Sequence, residues 1–188
     1  MTDFHKQDLN LFLNHKYVNF EVGETAPETY RVAHFDELFK PECLPGINET
    51  YERYGIPFIF PDISKEGYDH VCCEGQSLET AVKRYSKMHL IGFCESADFS
   101  ETICVIDANG LEEQVEVFFY NFWKGIESWE YDRPSKICKV AGLVTTTSEG
   151  PRAIFCCSVP FPNGMEVCHM KLPFNPNMHV FSITLETP

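Results

Sequence analysis

Ile56-Pro-Phe-Ile-Phe-Pro-Asp62, a short loop, and then Tyr68-Asp-His-Val-Cys-Cys-Glu-Gly-Gln76 set an aromatic strand ahead of a polar turn, and the architecture follows from that pair. The first half is an aromatic strand fenced by Pro57 and Pro61. Proline cannot donate to a ladder, so this strand belongs at an edge or at the mouth of a sheet. The second half is rich in hydrogen-bonding groups and ends at a Gly-Gln turn. Its structural counterpart is the chain's last strand, Pro176 to Glu186.

Upstream, Tyr17-Val18-Asn19-Phe20 alternates like a strand. Thr25 to Tyr30 and Pro41 to Asn48 read as loops, and Phe35 to Phe39 as a short helical turn. Downstream, Leu78, Val82 and Tyr85 fall at helical intervals, so Leu78 to His89 is the one segment whose spacing suits a helix, although Met88–Phe93 is strand-like. Ile103-Cys-Val-Ile and Val115-Glu-Val-Phe-Phe-Tyr flank Asp107-Ala-Asn-Gly110. Asn-Gly tolerates positive φ at both turn positions, so this is a predicted β-hairpin. Further strands are expected at Lys139–Thr145, Ala153–Pro160, Met165–Leu172 and His179–Glu186. Short strands joined by Gly, Pro and Asn turns predict an all-β, jelly-roll-type sandwich of two antiparallel sheets with few short helices. The expected organisation is one domain over 1–188, with 1–55 as an N-terminal extension or cap.

The 188 residues are 44% hydrophobic and 23% charged, ordinary for a globular domain. Aromatic residues reach 14%, sixteen of them Phe, which favours β structure. A net charge of −13 argues against nucleic acid or an anionic membrane as partner, because phosphate binding needs Lys and Arg. No apolar run suits a membrane span, and the N-terminus lacks the basic and apolar regions of a signal peptide, so the expected location is cytoplasmic. Nine cysteines, an odd number with no Cys-x-x-Cys, read as buried reduced thiols.

No compact metal motif is present: His70, His89, His169 and His179 are scattered, with neither His-x-His nor His-Glu-x-x-His. His179 shares a strand face with Phe181, Ile183 and Leu185, which makes it a core histidine with one hydrogen-bond partner. Asp62, Glu66 and Asp69 could give a structural calcium ion its oxygen ligands, or could be solvated loop carboxylates. No Gly-x-Ser-x-Gly elbow and no Gly-rich phosphate cradle occur. Sugars are held by aromatic faces and planar polar side chains. Tyr68, Asp69, His70 and Gln76 in the opening loop, with Trp123 and Trp129 after the hairpin, are the candidate ligand-binding residues. The alternative is that Trp123 anchors the core and the loop residues satisfy turn backbones.

The order Ile56-Pro-Phe-Ile-Phe-Pro-Asp62, Tyr68-Asp-His-Val71, Gly75-Gln76, His89-Leu-Ile-Gly92, Asp107-Ala-Asn-Gly110, Asn121-Phe-Trp123 and Asn177-Met-His-Val-Phe-Ser-Ile-Thr-Leu185 resembles a bacterial, galactose-binding-like β-sandwich module found with glycoside hydrolases. The resemblance runs from Ile56 to the C-terminus and implies a sandwich that recognises carbohydrate, alone or as a subunit of a sugar-processing assembly. Two other classes stand beside it. One is a small sugar- or glycoside-processing enzyme with an acid and a histidine in a sandwich cleft. The other is a structural domain that self-associates through a flat aromatic face.

Overall fold

The structure, a computed structural model, describes residues 2–16, 44–46, 49–62, 67–122, 138–147 and 150–188. These form ten strands: β1 (Phe4–Lys6), β2 (Thr50–Arg53), β3 (Ile56–Ile59), β4 (Val71–Glu74), β5 (Ser77–Cys94), β6 (Phe99–Asp107), β7 (Glu112–Phe119), β8 (Cys138–Thr147), β9 (Gly150–Lys171) and β10 (Phe174–Glu186). Every pairing between them is antiparallel. The chain is an all-β sandwich, and no helix occurs among the described residues. It follows that no described helix is long and apolar enough to cross a membrane. The strand expected at Tyr17–Phe20, the turn at Phe35–Phe39 and the loop at Thr25–Tyr30 lie outside the described residues.

The large sheet runs β1-β10-β5-β9-β6-β7, with β4 added to β10 and β8 added to β9. Three long strands, β5, β9 and β10, carry it, and bulges bend each of them. The Leu78–His89 segment is not helical but the first two-thirds of β5. Its helix-like spacing comes from those bulges. A register shift between Glu79 and Lys83 interrupts the two-residue alternation between Leu78 and Tyr85, which are both buried while Val82 is exposed. The expected strands Ala153–Pro160 and Met165–Leu172 belong to one strand, β9. Residues 161–164 stand opposite Ser86 alone, so the Pro-Asn-Gly signal marks a bulge and not a chain reversal.

The expected hairpin forms between β6 and β7, with Ile106 opposite Glu112. Only Gly110 takes positive φ (81°), and the Gly110 N–H donates to Asp107 O at 3.0 Å. The turn is therefore a three-residue loop with a left-handed glycine, not a reversal with two positive-φ positions. Asp107 fixes it: its Oδ1 accepts from the N–H groups of Asn109 and Leu111 at 2.8 Å each.

β2 and β3 form a second, two-stranded sheet, so the proline-fenced strand is at an edge as expected. It packs over β10. Phe60 stacks on Phe181 at 6.1 Å, and Thr184 Oγ1 donates to Pro57 O at 2.8 Å. Phe58, Phe93, Phe119, Phe122, Phe155 and Phe181 are fully buried, each contributing about 1.5–3 kcal/mol of transfer energy. The N-terminal segment is sewn to the sheet at both ends: β1 pairs with the end of β10, and His15 bridges His70.

Candidate functional site

The opening loop divides on folding. Asp69 and His70 are buried, at 1% and 0% exposure, and so form no rim. Gln76 folds back onto its own turn: its Oε1 accepts from the Glu74 N–H and its Nε2 donates to Cys72 O, both at 2.8 Å. Tyr68 is half-buried. Trp123 and Trp129 lie outside the described residues; among the four described candidates, Asp69 and His70 are joined side chain to side chain. Of the three carboxylates considered for calcium, Asp69 is turned inward, Asp62 is half-buried, and Glu66 lies outside the described residues.

What Asp69 and His70 join is an interior histidine cluster. The bridge between His15 and His70, with the Asp69 N–H donating to His15 O at 2.9 Å, holds the N-terminal segment against the loop. The His70 Nδ1 meets Asp69 Oδ1 at 2.6 Å and its Nε2 meets His179 Nδ1 at 2.9 Å. His179 Nε2 lies 3.7 Å from Glu95 Oε2. Phe93 stacks on the His179 ring at 4.9 Å and Phe181 lies 5.0 Å from His70, so the walls are aromatic. Burial, helped by the neighbouring His179 and Lys16, holds the His70 imidazole well below its ordinary range. The expected core role of His179 is met, with a second histidine as its partner.

A second constellation opens to solvent. Three adjacent strands, β9, β5 and β10, carry Ser158, His89 and Glu186, and the register places Ser158 directly opposite His89 and Glu186 opposite Lys87. His89 Nδ1 meets Ser158 Oγ at 2.8 Å, and its Nε2 meets Glu186 Oε2 at 2.9 Å. Lys87 Nζ donates to both Glu186 oxygens, at 3.0 and 3.3 Å. These side chains line a cleft of about 640 Å³ that also touches Phe4, Tyr54 and Pro160. Burial lowers the His89 pKa from its ordinary 6.5, with Glu186 opposing, so the ring is neutral at pH 7. Partial burial works to raise Glu186, but the bonds from Lys87 and His89 outweigh it and leave the carboxyl below its usual range.

Tyr54 arrives from the β2–β3 turn with φ of +55°, a left-handed conformation that costs a bulky residue about 1 kcal/mol or more. Its ring is half-exposed beneath the Arg53 guanidinium, which sits 4.6 Å from the centroid. Tyr54 and Gly55 (φ +74°) are the two central residues of the β2–β3 hairpin, and a two-residue turn of this kind takes positive φ at both, so the strain serves the turn.

A family model described as an AziU2-like β-sandwich domain matches residues 6–188. The chain belongs to the AziU2-like β-sandwich domain family. No curated protein matches it. The family description supports the β-sandwich module expected from the sequence, and it names no sugar and no hydrolase.

In this AziU2-like sandwich, Lys87, Ser158, Glu186 and Tyr54 escaped sequence reasoning, as did His15 and Glu95, and His89 was weighed only as a metal ligand. One local signal existed: Lys87 and His89 are two residues apart on a strand-like run and therefore share a face. The others meet through pairing between strands distant in sequence, His89 with Ser158 across 69 residues and with Glu186 across 97.

Proposed function

We propose that this AziU2-like domain recognises a small polyhydroxylated ligand of the carbohydrate class, and that the cleft over β5, β9 and β10 holds it. The carrying observation is the unbroken line Ser158–His89–Glu186–Lys87 at the wall of a 640 Å³ cleft. Neighbouring hydroxyls need alternating donors and acceptors on a fixed spacing, and this line offers an ammonium, a carboxylate, an imidazole and a hydroxyl. Tyr54 and Phe4 add apolar surface for the C–H face of a sugar ring. The volume falls within the ordinary range for small-molecule sites.

The test is a thermal-shift screen of the full chain against mono- and oligosaccharides at millimolar concentration. A ligand that binds only the folded state must raise Tm by mass action. At least one sugar should do so, and Tyr54→Ala and Glu186→Gln should abolish the shift while leaving the fold intact. No shift with any sugar overturns the reading.

The hydrogen-bonded order Ser158–His89–Glu186 favours a second reading, in which the cleft acts on an acylated sugar. Neutral His89 accepts the Ser158 proton as Oγ attacks the acyl carbon, and Glu186 stabilises the imidazolium that results. That imidazolium protonates the sugar oxygen as its ester bond breaks; water, deprotonated by His89, then releases the acyl group from Ser158 as the acid. Ester hydrolysis by the wild type that is lost in Ser158→Ala and in His89→Gln, and a burst of alcohol product that reports an acyl-enzyme, distinguish this from binding alone.

A further inference from the structure

We infer that His15, His70 and His179 form an interior binding site for one divalent transition-metal ion of the zinc type. The three residues come from separate parts of the chain, yet one ring nitrogen of each lies within 4.8 Å of the others, and all three side chains are buried. Tetrahedral zinc with Zn–N of about 2.0–2.1 Å places its ligand nitrogens ~3.3 Å apart. His70 Nε2 and His179 Nδ1 stand 2.9 Å apart, so a few tenths of an ångström of opening admits the ion between them.

The far sides of the rings support the same assignment. A ligating imidazole normally gives its other nitrogen to a carboxylate, which fixes the tautomer and the ring orientation. His70 turns its other nitrogen to Asp69 at 2.6 Å, and His179 turns its other nitrogen toward Glu95 at 3.7 Å. The remaining nitrogens, His70 Nε2 and His179 Nδ1, face each other inside the cluster. Charge points the same way. Asp69 and Glu95 are buried carboxylates, and Glu95 Oε1 has no hydrogen-bond partner among the described residues. Lys16, buried and bonded to Gly67 O at 3.0 Å, is the cation beside His70. Two buried carboxylates thus stand against one buried lysine, an acidic balance that favours a cation at the cluster. The donor set is nitrogen: Cys72, opposite His179 on β4, directs its thiol to Pro176 O at 3.2 Å. Imidazole donors suit zinc, copper or nickel and not calcium or magnesium, which require oxygen. Three protein ligands leave the fourth tetrahedral position to water.

The experiment uses the full chain without a polyhistidine tag, stripped by a chelator and titrated with zinc chloride by calorimetry. Cobalt(II) serves as a spectroscopic probe of coordination. Expected are one ion per chain, a rise in Tm with zinc but none with calcium, and the intense visible absorption of four-coordinate cobalt. His15→Gln should weaken zinc binding by about 100-fold or more. Asp69→Asn, which removes a positioning residue, should weaken it by about 10–100-fold and alter the cobalt spectrum. If these variants do not fold, the wild-type stoichiometry and cobalt spectrum still decide. Substoichiometric binding, an octahedral cobalt spectrum, or affinity unchanged in a folded His15→Gln variant overturns the assignment.

Discussion

Gly92 lies near the C-terminal end of β5, between β10 and β9, paired with Val180 on one side and Phe155 on the other. A Cβ built there lies 2.1 Å from the His179 carbonyl oxygen and 3.1 Å from Phe119 Cζ. Ordinary contact begins at 3.4 Å, so Gly92→Ala must drive the backbones of β5 and β10 about 1.3 Å apart. A displacement of that size takes ladder hydrogen bonds out of range, each worth about 1 kcal/mol net. Overpacking a filled core adds about 1–3 kcal/mol. The sum is about 3–5 kcal/mol, a large share of the roughly 5–15 kcal/mol that holds such a domain folded. At about 2–4 °C per kcal/mol, Tm should fall by about 6–20 °C. Gly110→Ala is the control. Gly110 has φ of +81° and nothing within 4 Å, so its cost is conformational only, about 1 kcal/mol. Differential scanning calorimetry on both variants separates the effects. A Gly92→Ala Tm within about 3 °C of wild type, or no lower than that of Gly110→Ala, would refute the close approach of β5 and β10.

Acid should weaken the fold through the cleft. His89 has a folded pKa below 6.5, so its contribution is complete above pH 6.5 and is lost as pH falls through the folded value. Glu186 is held below 4.5, so its contribution is present above pH 4.5 and is lost at still lower pH. Tm should therefore decline from pH 7 downward, and His89→Gln should flatten the curve just below pH 6.5; an unchanged slope there contradicts the assignment. Thiol labelling of the native protein gives another check. Burial pushes Cys157 up to about 12 and also raises Cys73, Cys94 and Cys138, so among the described cysteines the half-buried Cys104 and Cys168 should react first. Rapid labelling of Cys94 or Cys157 without denaturant would contradict the packing. Truncating Phe155 to Ala leaves a cavity at a fully buried site and should cost about 3–5 kcal/mol in urea unfolding; a loss under 1 kcal/mol would place that ring outside the core.

The fold was legible because its signals are local. The two prolines around Ile56–Phe60 forbid a central strand, and Asn109-Gly110 forces a reversal whichever turn geometry is adopted. β5 was the failure, and the cause is physical. A straight strand puts residues seven apart on opposite faces, yet Leu78 and Tyr85 are both fully buried, with an irregularity between Glu79 and Lys83 intervening. A bulge changes the phase of the pattern, and a phase change in a period of two can imitate a period near 3.6 over a few residues. The Pro-Asn-Gly segment inside β9 misled in the opposite direction, since a bulge four residues long carries the composition of a turn.

The candidate sites were legible only in part, because their information lies in register. Reading His179 as a satisfied core histidine was right about burial, but the identity of its partner depends on β4 and β10 pairing so that Val71 faces Val180, and on the N-terminal segment returning to bridge His15 with His70. Neither is a function of spacing along the chain. The cleft obeys the same logic. A shift of β9 by one residue against β5 would turn Ser158 to the other face and leave His89 opposite a cysteine or a valine. That register is fixed by the burial of Cys157 and Val159 around it. The polar line Ser158–His89–Glu186–Lys87 therefore depends on apolar neighbours that never touch a ligand, and a change at Val159 should disturb it as surely as a change at His89.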